Sequence, residues 1–357
     1  MNARPEAPHP LHIPSLDGIR AISFLIVFLS HAGLQGKIPG YFGLSVFFFL
    51  SGYLITTLLR MEFDRSQTVS LRQFYLRRVL RIFPPFYLVL GLAYALTALN
   101  LWEGSIGPRG VASQLLHFTN YYIIYNGWWD ELAPGTWVYW SLAVEEHFYL
   151  VFPLLYLVLR RAGLSGKQQA TALLAICAAV LAWRLLLVFG FHVSKDRTYV
   201  ATDTRVDSIL AGCILAVWNN PVLDRGGVSD RALKWLWLPV GLAMVGFSLV
   251  YRRFEFEQTF RYTLQSFGLL PVFIAAVRWH DWGPFKLLNT RLAKLGGLLS
   301  YSMYLTHTTV IWAFEQRTRW PEPLRAAAAL AVVTLLAWLI YLAVERPIGR
   351  LRRRLQG

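Results

Sequence analysis

The sequence is short of charged residues and of cysteine. Only 15% of its 357 residues are charged, whereas 55% are hydrophobic, and this balance excludes an ordinary soluble globular domain. Two cysteines are too few for a disulfide framework, and no Asn-x-Ser/Thr site indicates a glycosylated surface protein. The chain also lacks a Gly-x-Ser-x-Gly elbow, a His-Glu-x-x-His motif and a glycine-rich phosphate loop. It therefore carries no recognised signature of a serine hydrolase, a metalloprotease or a nucleotide hydrolase.

Long apolar runs dominate the rest of the chain, and the mean hydropathy is +0.42. Fourteen Trp and seventeen Tyr residues are typical of the aromatic belts at membrane interfaces. The sequence predicts an all-α fold, a polytopic transmembrane bundle of about ten helices. The predicted spans are 19–34, 41–59, 83–101, 141–159, 168–190, 205–218, 235–251, 262–279, 297–315 and 326–344.

The basic residues predict how the bundle is oriented. The net charge of +15 is concentrated in short clusters after the second and fourth spans and in the C-terminal tail. The positive-inside rule explains this distribution better than nucleic-acid binding, so we expect no nucleic-acid partner. Both termini are then cytoplasmic, and the long loop 102–139, which is more acidic than basic, lies outside. We expect a disordered cytoplasmic N-terminus (1–16), a transmembrane domain (17–347) and a basic cytoplasmic tail (348–357).

The second predicted span contains the small residues Gly43, Ser51 and Gly52 beside a block of phenylalanines. Small residues let helices approach closely within a membrane. Alternatively, a Ser-Gly break opens the backbone towards a cavity. The sequence leaves both interpretations open.

The stretch RAISFLIVFLSH places Arg20 and His31 eleven residues apart in the first span. Eleven residues make close to three helical turns, so both side chains lie on one face, about 16 Å apart along the axis. A histidine this deep in a bilayer is costly unless it faces the bundle interior or a wet cavity. It either bonds a neighbouring helix or takes part in chemistry, as a general base or a transient acyl carrier.

Two further arginines, Arg78 and Arg81, are three residues apart and share a helical face. Planar guanidinium groups match the oxygens of phosphate, and Arg20 enters from the same cytoplasmic edge. The three arginines predict a clamp for a ligand whose phosphates lie at this edge and whose reactive end lies near His31. An acyl-coenzyme A has this shape. Arg77, by contrast, is expected only to mark the cytoplasmic edge.

Other polar residues interrupt the apolar spans. Glu145 and Glu146 begin the fourth span and are either interfacial or catalytic. Because adjacent carboxylates do not share a helix face, we expect one to point inward, where it could pair with an arginine or tune His31, and the other to point towards water. Two polar groups elsewhere either join helices or bind substrate. They are Asp203, Arg205 and Asp207 in the sixth span, and Ser300, Tyr304 and His307 in the ninth. None of these patterns is typical of a metal site, so no metal is expected.

Taken in order, seven pieces of the sequence resemble the acyltransferase 3 family of integral membrane O-acyltransferases. They are LDGIRAISFLIVFLSH, GLSVFFFLSGYLI, FYLRRVLRIFP, WSLAVEEHFYLVFP, RVDSILAG, SYSMYLTH and VERP. The family's pattern of an arginine, ten residues and a histidine falls on Arg20 and His31, and its arginine pair falls on Arg78 and Arg81. Its Trp-Ser-Leu segment with a glutamate falls on Trp140 and Glu145, with Glu146 a close rival.

The resemblance implies a bacterial plasma-membrane or inner-membrane enzyme with ten core helices. Such an enzyme transfers an acyl group, commonly acetyl, from cytoplasmic acyl-coenzyme A to a hydroxyl of a glycan or glycosylated small molecule. The expected partners are the lipid bilayer, the acyl-coenzyme A donor and the saccharide acceptor. Some members of the family carry an extracytoplasmic esterase-like domain after the membrane domain. The sequence ends at Gly357 without one, so we expect any such centre either to lie on a separate esterase-like partner or to be unnecessary.

A second class of function stays open from the sequence. A transporter or flippase could use His31 and the buried carboxylates to couple proton or substrate movement. Such a protein would be expected to show halves related by an internal repeat, and none is evident by eye.

Overall fold

The computed structural model describes residues 13–34, 36–224 and 226–354. Within these ranges the chain is helical throughout its regular structure, without strands. The first eight helices are α1 (Leu16–Leu29), α2 (Gly40–Ser66), α3 (Leu71–Ala98), α4 (Pro108–Leu115), α5 (Thr119–Asn126), α6 (Trp140–Arg161), α7 (Gly166–Leu185) and α8 (Lys195–Val200). The others are α9 (Thr202–Val217), α10 (Asp230–Ala232), α11 (Leu238–Val250), α12 (Phe254–Gln258), α13 (Phe260–Arg278), α14 (Arg291–Arg317), α15 (Glu322–Ile340) and α16 (Arg346–Arg354).

Short turns of other helix types connect some of these elements. Single π-helical turns extend α7 (Leu186–Gly190), join α10 to α11 (Leu233–Trp237) and join α15 to α16 (Tyr341–Glu345). The turn Ser30–Leu34 after α1 is kinked, with non-helical backbone at Ala32 and Gly33. Turns of 3₁₀ helix precede α6 (Thr136–Tyr139) and α14 (Gly283–Asn289).

The predicted helix bundle is confirmed. In the described part of the chain, eight helical segments are long and apolar enough to cross a membrane. The other two predicted spans are also helical, as α9 and α14. Thirteen of the sixteen residues of α9 are buried, and α14 buries a polar stripe. These two helices contact protein more than lipid, so their length and polarity need not suit a lipid environment.

The structure displaces two predicted boundaries, the start of the third span and the end of the N-terminal segment. Helix α3 begins at Leu71, twelve residues before the predicted span, after an N-cap at Ser70 that accepts from the Gln73 N–H at 3.4 Å. The apolar run marked the lipid-facing part of α3, whereas its first turns are basic and amphipathic.

At the N-terminus, part of the stretch expected to be disordered is packed. Ser15 N–H donates to Asn289 Oδ1 at 2.8 Å, and Ser15 Oγ donates to the Ala276 carbonyl at 2.6 Å. Residues 1–12 of that predicted N-terminus and residues 355–357 of the predicted tail lie outside the described residues. The part of the predicted tail before residue 355 lies in the last helix, α16, which ends at Arg354.

The small residues of the second span serve close helix packing. Gly52 of α2 lies against the backbone carbonyl of Ile209 in α9, and Gly212 of α9 lies against the carbonyl of Phe49 in α2. A Cβ atom at either glycine would overlap the partner's backbone. Helix α2 runs unbroken from Gly40 to Ser66, so the alternative of a backbone break is wrong.

The long loop before α6 folds onto one end of the bundle. Gln114 of α4 is fully buried, and its Nε2 donates to the carbonyl and Oγ1 of Thr136 at 3.0 and 2.9 Å. Thr308 of α14 donates to the carbonyl of Gly135 at 2.5 Å. These bonds hold the start of α6 and the neighbouring Trp137 against the core of the bundle.

Candidate active site

A cavity of about 850 Å³ between α1, α2, α3, α6 and α14 collects most of the predicted site residues. We call it the arginine cavity. The predicted residues that line it are Arg20, Arg78, Arg81, Glu145, Glu146, Ser300 and Tyr304.

The arginines of α3 differ in how their charges are compensated. Arg77, outside the cavity, pairs with Glu62 at 2.8 Å, and Arg20 pairs with Asp17 at 3.0 Å. Among the described residues, neither Arg78 nor Arg81 forms an ion pair with a carboxylate. The Arg78 guanidinium lies 5.7 Å from the centre of the Tyr149 ring, and its buried Nε has no hydrogen-bond partner. Arg78 and Arg81 are therefore free of direct ion pairs at this cavity, which Glu145 and Glu146 also line, and their guanidinium groups can bind an anion.

Both carboxylates of α6 line the arginine cavity, contrary to the expectation that one of them would face water. They are about 100° apart around the helix, but the cavity is wide enough to reach both. Glu145 accepts from Ser51 Oγ at 3.0 Å and from the Tyr149 hydroxyl at 3.1 Å. Glu145 therefore holds in place the Tyr149 ring that faces the Arg78 guanidinium.

His31 lines a second cavity of about 1,100 Å³ at the other end of α1, which we call the histidine cavity. Leu44 and Tyr304 line both cavities. Arg20 and His31 both face the bundle interior, as their spacing predicts, but each opens into a different cavity. The Leu44 and Tyr304 side chains therefore lie between the two neighbouring cavities.

A hydrogen-bonded pair of histidines determines which ring nitrogen of His31 is free. His307 Nδ1 lies 2.6 Å from the carbonyl oxygen of Tyr304, which can only accept, so this nitrogen carries a proton. In neutral His307 the Nε2 atom is then an acceptor, and His31 Nδ1, 3.0 Å away, donates to it. The network leaves His31 Nε2 with a lone pair, as a base or nucleophile requires.

The pair of histidines was missed at the level of sequence. The stripe that predicted one role for Ser300, Tyr304 and His307 is divided in the structure, since Ser300 and Tyr304 line the arginine cavity while His307 bonds His31. Tyr304 is held by Ser141, whose Oγ lies 2.6 Å from its hydroxyl. A signal was available, because His31 and His307 are each the single histidine of an apolar helix.

The predicted group on α9 lies outside both cavities. Asp203 pairs with Arg197 at 2.5 Å, and Asp207 pairs with Arg184 of α7 at 2.5 Å. Asp207 and Arg184 are fully buried, and removing one partner of such a pair costs about 3–5 kcal/mol. Arg205 is fully buried against the Tyr262 ring. These contacts agree with the helix-anchoring alternative.

No set of three or more His, Cys, Asp or Glu side chains in the described ranges could hold a metal ion.

Comparisons with known proteins find a matching family and several relatives. A family model described as an acyltransferase domain matches residues 13–342. The chain is 28% identical over 355 residues to the peptidoglycan O-acetyltransferase OatA of Listeria monocytogenes, covering 95% of this chain and 56% of that relative. It is 29% identical over 313 residues to the O-acetyltransferase OatA of Staphylococcus aureus, covering 85% of this chain and 51% of that relative. The chain thus spans about half the length of the curated relatives it matches. No solved structure matches it.

Proposed function

The chain belongs to the acyltransferase 3 family, and we propose on this premise that it is a membrane O-acetyltransferase. It would move an acetyl group from cytoplasmic acetyl-coenzyme A to a hydroxyl of a glycan. The names of the Listeria and Staphylococcus relatives support acetyl as the group, and the name of the Listeria relative supports peptidoglycan as the acceptor. The observation that carries the proposal is the presence of two neighbouring cavities, one lined by three arginines and the other by His31.

The arginine cavity would bind the donor. Phosphate groups require cations that are not already paired, and Arg78 and Arg81 meet this requirement where Arg77 does not. Arg20 lines the same cavity and would hold or seat the charged part of the donor. The donor supplies a thioester, which would reach the boundary between the cavities at Leu44 and Tyr304.

His31 would act as the general base. Its Nε2 removes the proton of the acceptor hydroxyl as the hydroxyl oxygen bonds to the thioester carbonyl carbon. His31 then returns this proton to the thiolate that is released when the carbon–sulfur bond breaks. His307 keeps the Nδ1 proton of His31 in place throughout, so it is a positioning residue.

The carboxylates would act at the donor end. Glu145 holds Tyr149 and Ser51 at the wall of the arginine cavity, next to Arg78, and so positions the cation that binds phosphate. Glu146 lines the same cavity without such hydrogen bonds, so its carboxylate would contact the bound donor.

The test is acetyl transfer from radiolabelled acetyl-coenzyme A to a peptidoglycan-type oligosaccharide by purified protein in lipid nanodiscs. We expect His31→Gln to abolish transfer while donor binding persists, because an amide hydrogen-bonds but does not cycle a proton. His147→Gln is the matched control, since His147 is a half-buried membrane histidine that bonds Thr202 at 2.7 Å outside both cavities.

Three results would change this assignment. Most of the wild-type turnover in His31→Gln would reduce His31 to a packing residue. An acetyl-histidine trapped by acid quench without acceptor would make His31 a covalent carrier. Movement of the saccharide across the bilayer without acetylation would identify a transporter.

A further inference from the structure

We propose that the acceptor saccharide is anionic, and that its carboxylate or phosphate binds the basic side chains that line the histidine cavity. This inference rests on the proposed function and specifies its substrate class. It concerns a group of charges at the far end of the molecule from the donor arginines.

The histidine cavity carries an excess of positive charge. Lys195, Arg252 and Arg261 line it, and among its described lining residues Glu257 is the one carboxylate. Glu257 pairs with Arg261 and lies 3.8 Å from Arg252. Lys195 is exposed and has no carboxylate within ion-pair distance in the described part of the chain. One carboxylate does not balance three cations, so the cavity attracts anions.

Donor groups in the cavity wall also lack partners. Arg261 is only 3% exposed, and its buried Nε has no hydrogen-bond acceptor. Its guanidinium lies 4.5 Å from the centre of the Tyr41 ring, and that of Arg252 lies 6.0 Å from the same ring. The buried hydroxyl of Tyr41 is unpartnered as well. Buried polar groups are normally satisfied, so these atoms indicate a site built for a ligand that supplies acceptor oxygens.

A fourth cation lies behind the wall. Arg205 is fully buried, and its guanidinium lies 3.7 Å from the centre of the Tyr262 ring and 5.5 Å from that of Tyr199, both of which line the cavity. Its Nε and Nη1 have no hydrogen-bond partner. A charge within low-dielectric surroundings acts over a longer range than one in water, so Arg205 adds to the positive potential of the cavity.

The position of these cations separates them from the donor. Leu44 and Tyr304 lie between the arginine cavity and the histidine cavity, and the donor phosphates are already provided with cations on the other side. Beside the basic residues stand Trp137, whose ring lies 5.2 Å from that of His31, and Trp140. Aromatic faces next to the reacting imidazole suit the flat faces of a sugar ring, and the cations suit its acid group.

Four saccharide probes test the inference. They are the disaccharide N-acetylglucosaminyl-N-acetylmuramic acid, its methyl ester, neutral chitobiose and chitobiose 1-phosphate. Binding is measured by calorimetry in nanodiscs without donor, and transfer is measured with acetyl-coenzyme A. We expect the acidic disaccharide to be preferred over its ester by about tenfold in both assays, which corresponds to about 1.4 kcal/mol. Preference for chitobiose 1-phosphate over chitobiose would instead identify phosphate as the recognised group.

Charge reversal at Arg252 provides the matched variant. Arg252→Glu should raise KM for the acidic probe about tenfold and leave kcat nearly unchanged, because the change adds repulsion without touching the histidines. Arg253→Glu makes the same change in net charge at an exposed neighbour that does not line the cavity, and should have little effect.

Equal binding of acidic and neutral probes, or equal effects of the two variants, would overturn the inference while leaving acetyl transfer intact. Charge-dependent binding without acetyl transfer would support the inference and refute the proposed function.

Discussion

At the level of single residues, the bond between His31 Nδ1 and His307 Nε2 decides which nitrogen of His31 can act as a base. We expect His307→Leu to lower kcat by about a hundredfold, because it leaves the Nδ1 proton without an acceptor and lets the ring turn away from a productive position. His307→Gln should retain more activity, since its amide oxygen can accept near the position of Nε2. The measurement is kcat for both variants, together with the KM of each substrate while the other substrate is saturating.

The donor and acceptor KM values provide the control for this pair of variants. They should stay near wild type, because His307 is fully buried and lines neither cavity. Equal kcat values for the Leu and Gln variants would show that His307 only fills space.

Residue spacing predicted some of the site and not the rest. The spacing predicted that Arg20 and His31 share a helix face, and that Arg78 and Arg81 share one. Each pair lies on one helix, where position follows from about 3.6 residues per turn. The contact between His31 and His307 joins residues 276 positions apart. Nothing local in the sequence determines such a contact, which depends on how α1 and α14 cross.

At the level of helices, α3 offers a comparison between neighbouring arginines. We expect the double variant Arg78→Ala/Arg81→Ala to weaken donor binding by at least tenfold, because two cations without direct ion pairs are lost, each worth about 1.5–3 kcal/mol when bonded to an anion. Arg77→Ala, which breaks only the pair with Glu62, should leave donor affinity nearly unchanged. Equilibrium binding of labelled acetyl-coenzyme A to the two variants is the measurement.

Two further observations decide what these arginines do. Lysine at both positions should restore little affinity, since it lacks the planar fork. If the double alanine variant binds donor as wild type does, Arg78 and Arg81 are markers of membrane topology and the donor binds elsewhere.

The helices themselves were largely predictable, because an apolar run long enough to cross a membrane has few alternatives to helix. Hydropathy did not show that α3 begins twelve residues earlier or that the outer loop folds over the bundle. These features depend on caps and tertiary hydrogen bonds, such as those of Ser70 and Gln114. Close packing of α2 was predicted as one of two alternatives, but neither the partner helix α9 nor its glycine, Gly212, was identified.

At the level of the whole molecule, the proposed donor site and the proposed acceptor site lie towards opposite ends of the bundle. The arginine cavity begins beside Arg78 and Arg81, near the basic connection between α2 and α3. The histidine cavity is lined by Tyr41 at the start of α2, Lys195 after α7 and Arg252 after α11. These three residues line one cavity, so the chain must return to the same end of the bundle each time. An even number of membrane crossings therefore separates Lys195 from Arg252. The short helix α9 therefore crosses the bundle, although its sixteen residues fall below the length of an ordinary span.

This geometry supports the ten-span topology that the apolar runs predict, and labelling tests it. We expect membrane-impermeant maleimide to label Asp130→Cys and Arg253→Cys in intact bacterial cells, and Arg65→Cys only after permeabilisation, because the basic end is cytoplasmic. The native Cys177 and Cys213 are buried and give a low background. Arg253 is the decisive position, since α11 would run in the opposite direction if α9 did not cross. Labelling of Arg253→Cys from the cytoplasm alone would exclude the ten-helix topology, and with it an acceptor cavity that opens outside the cell.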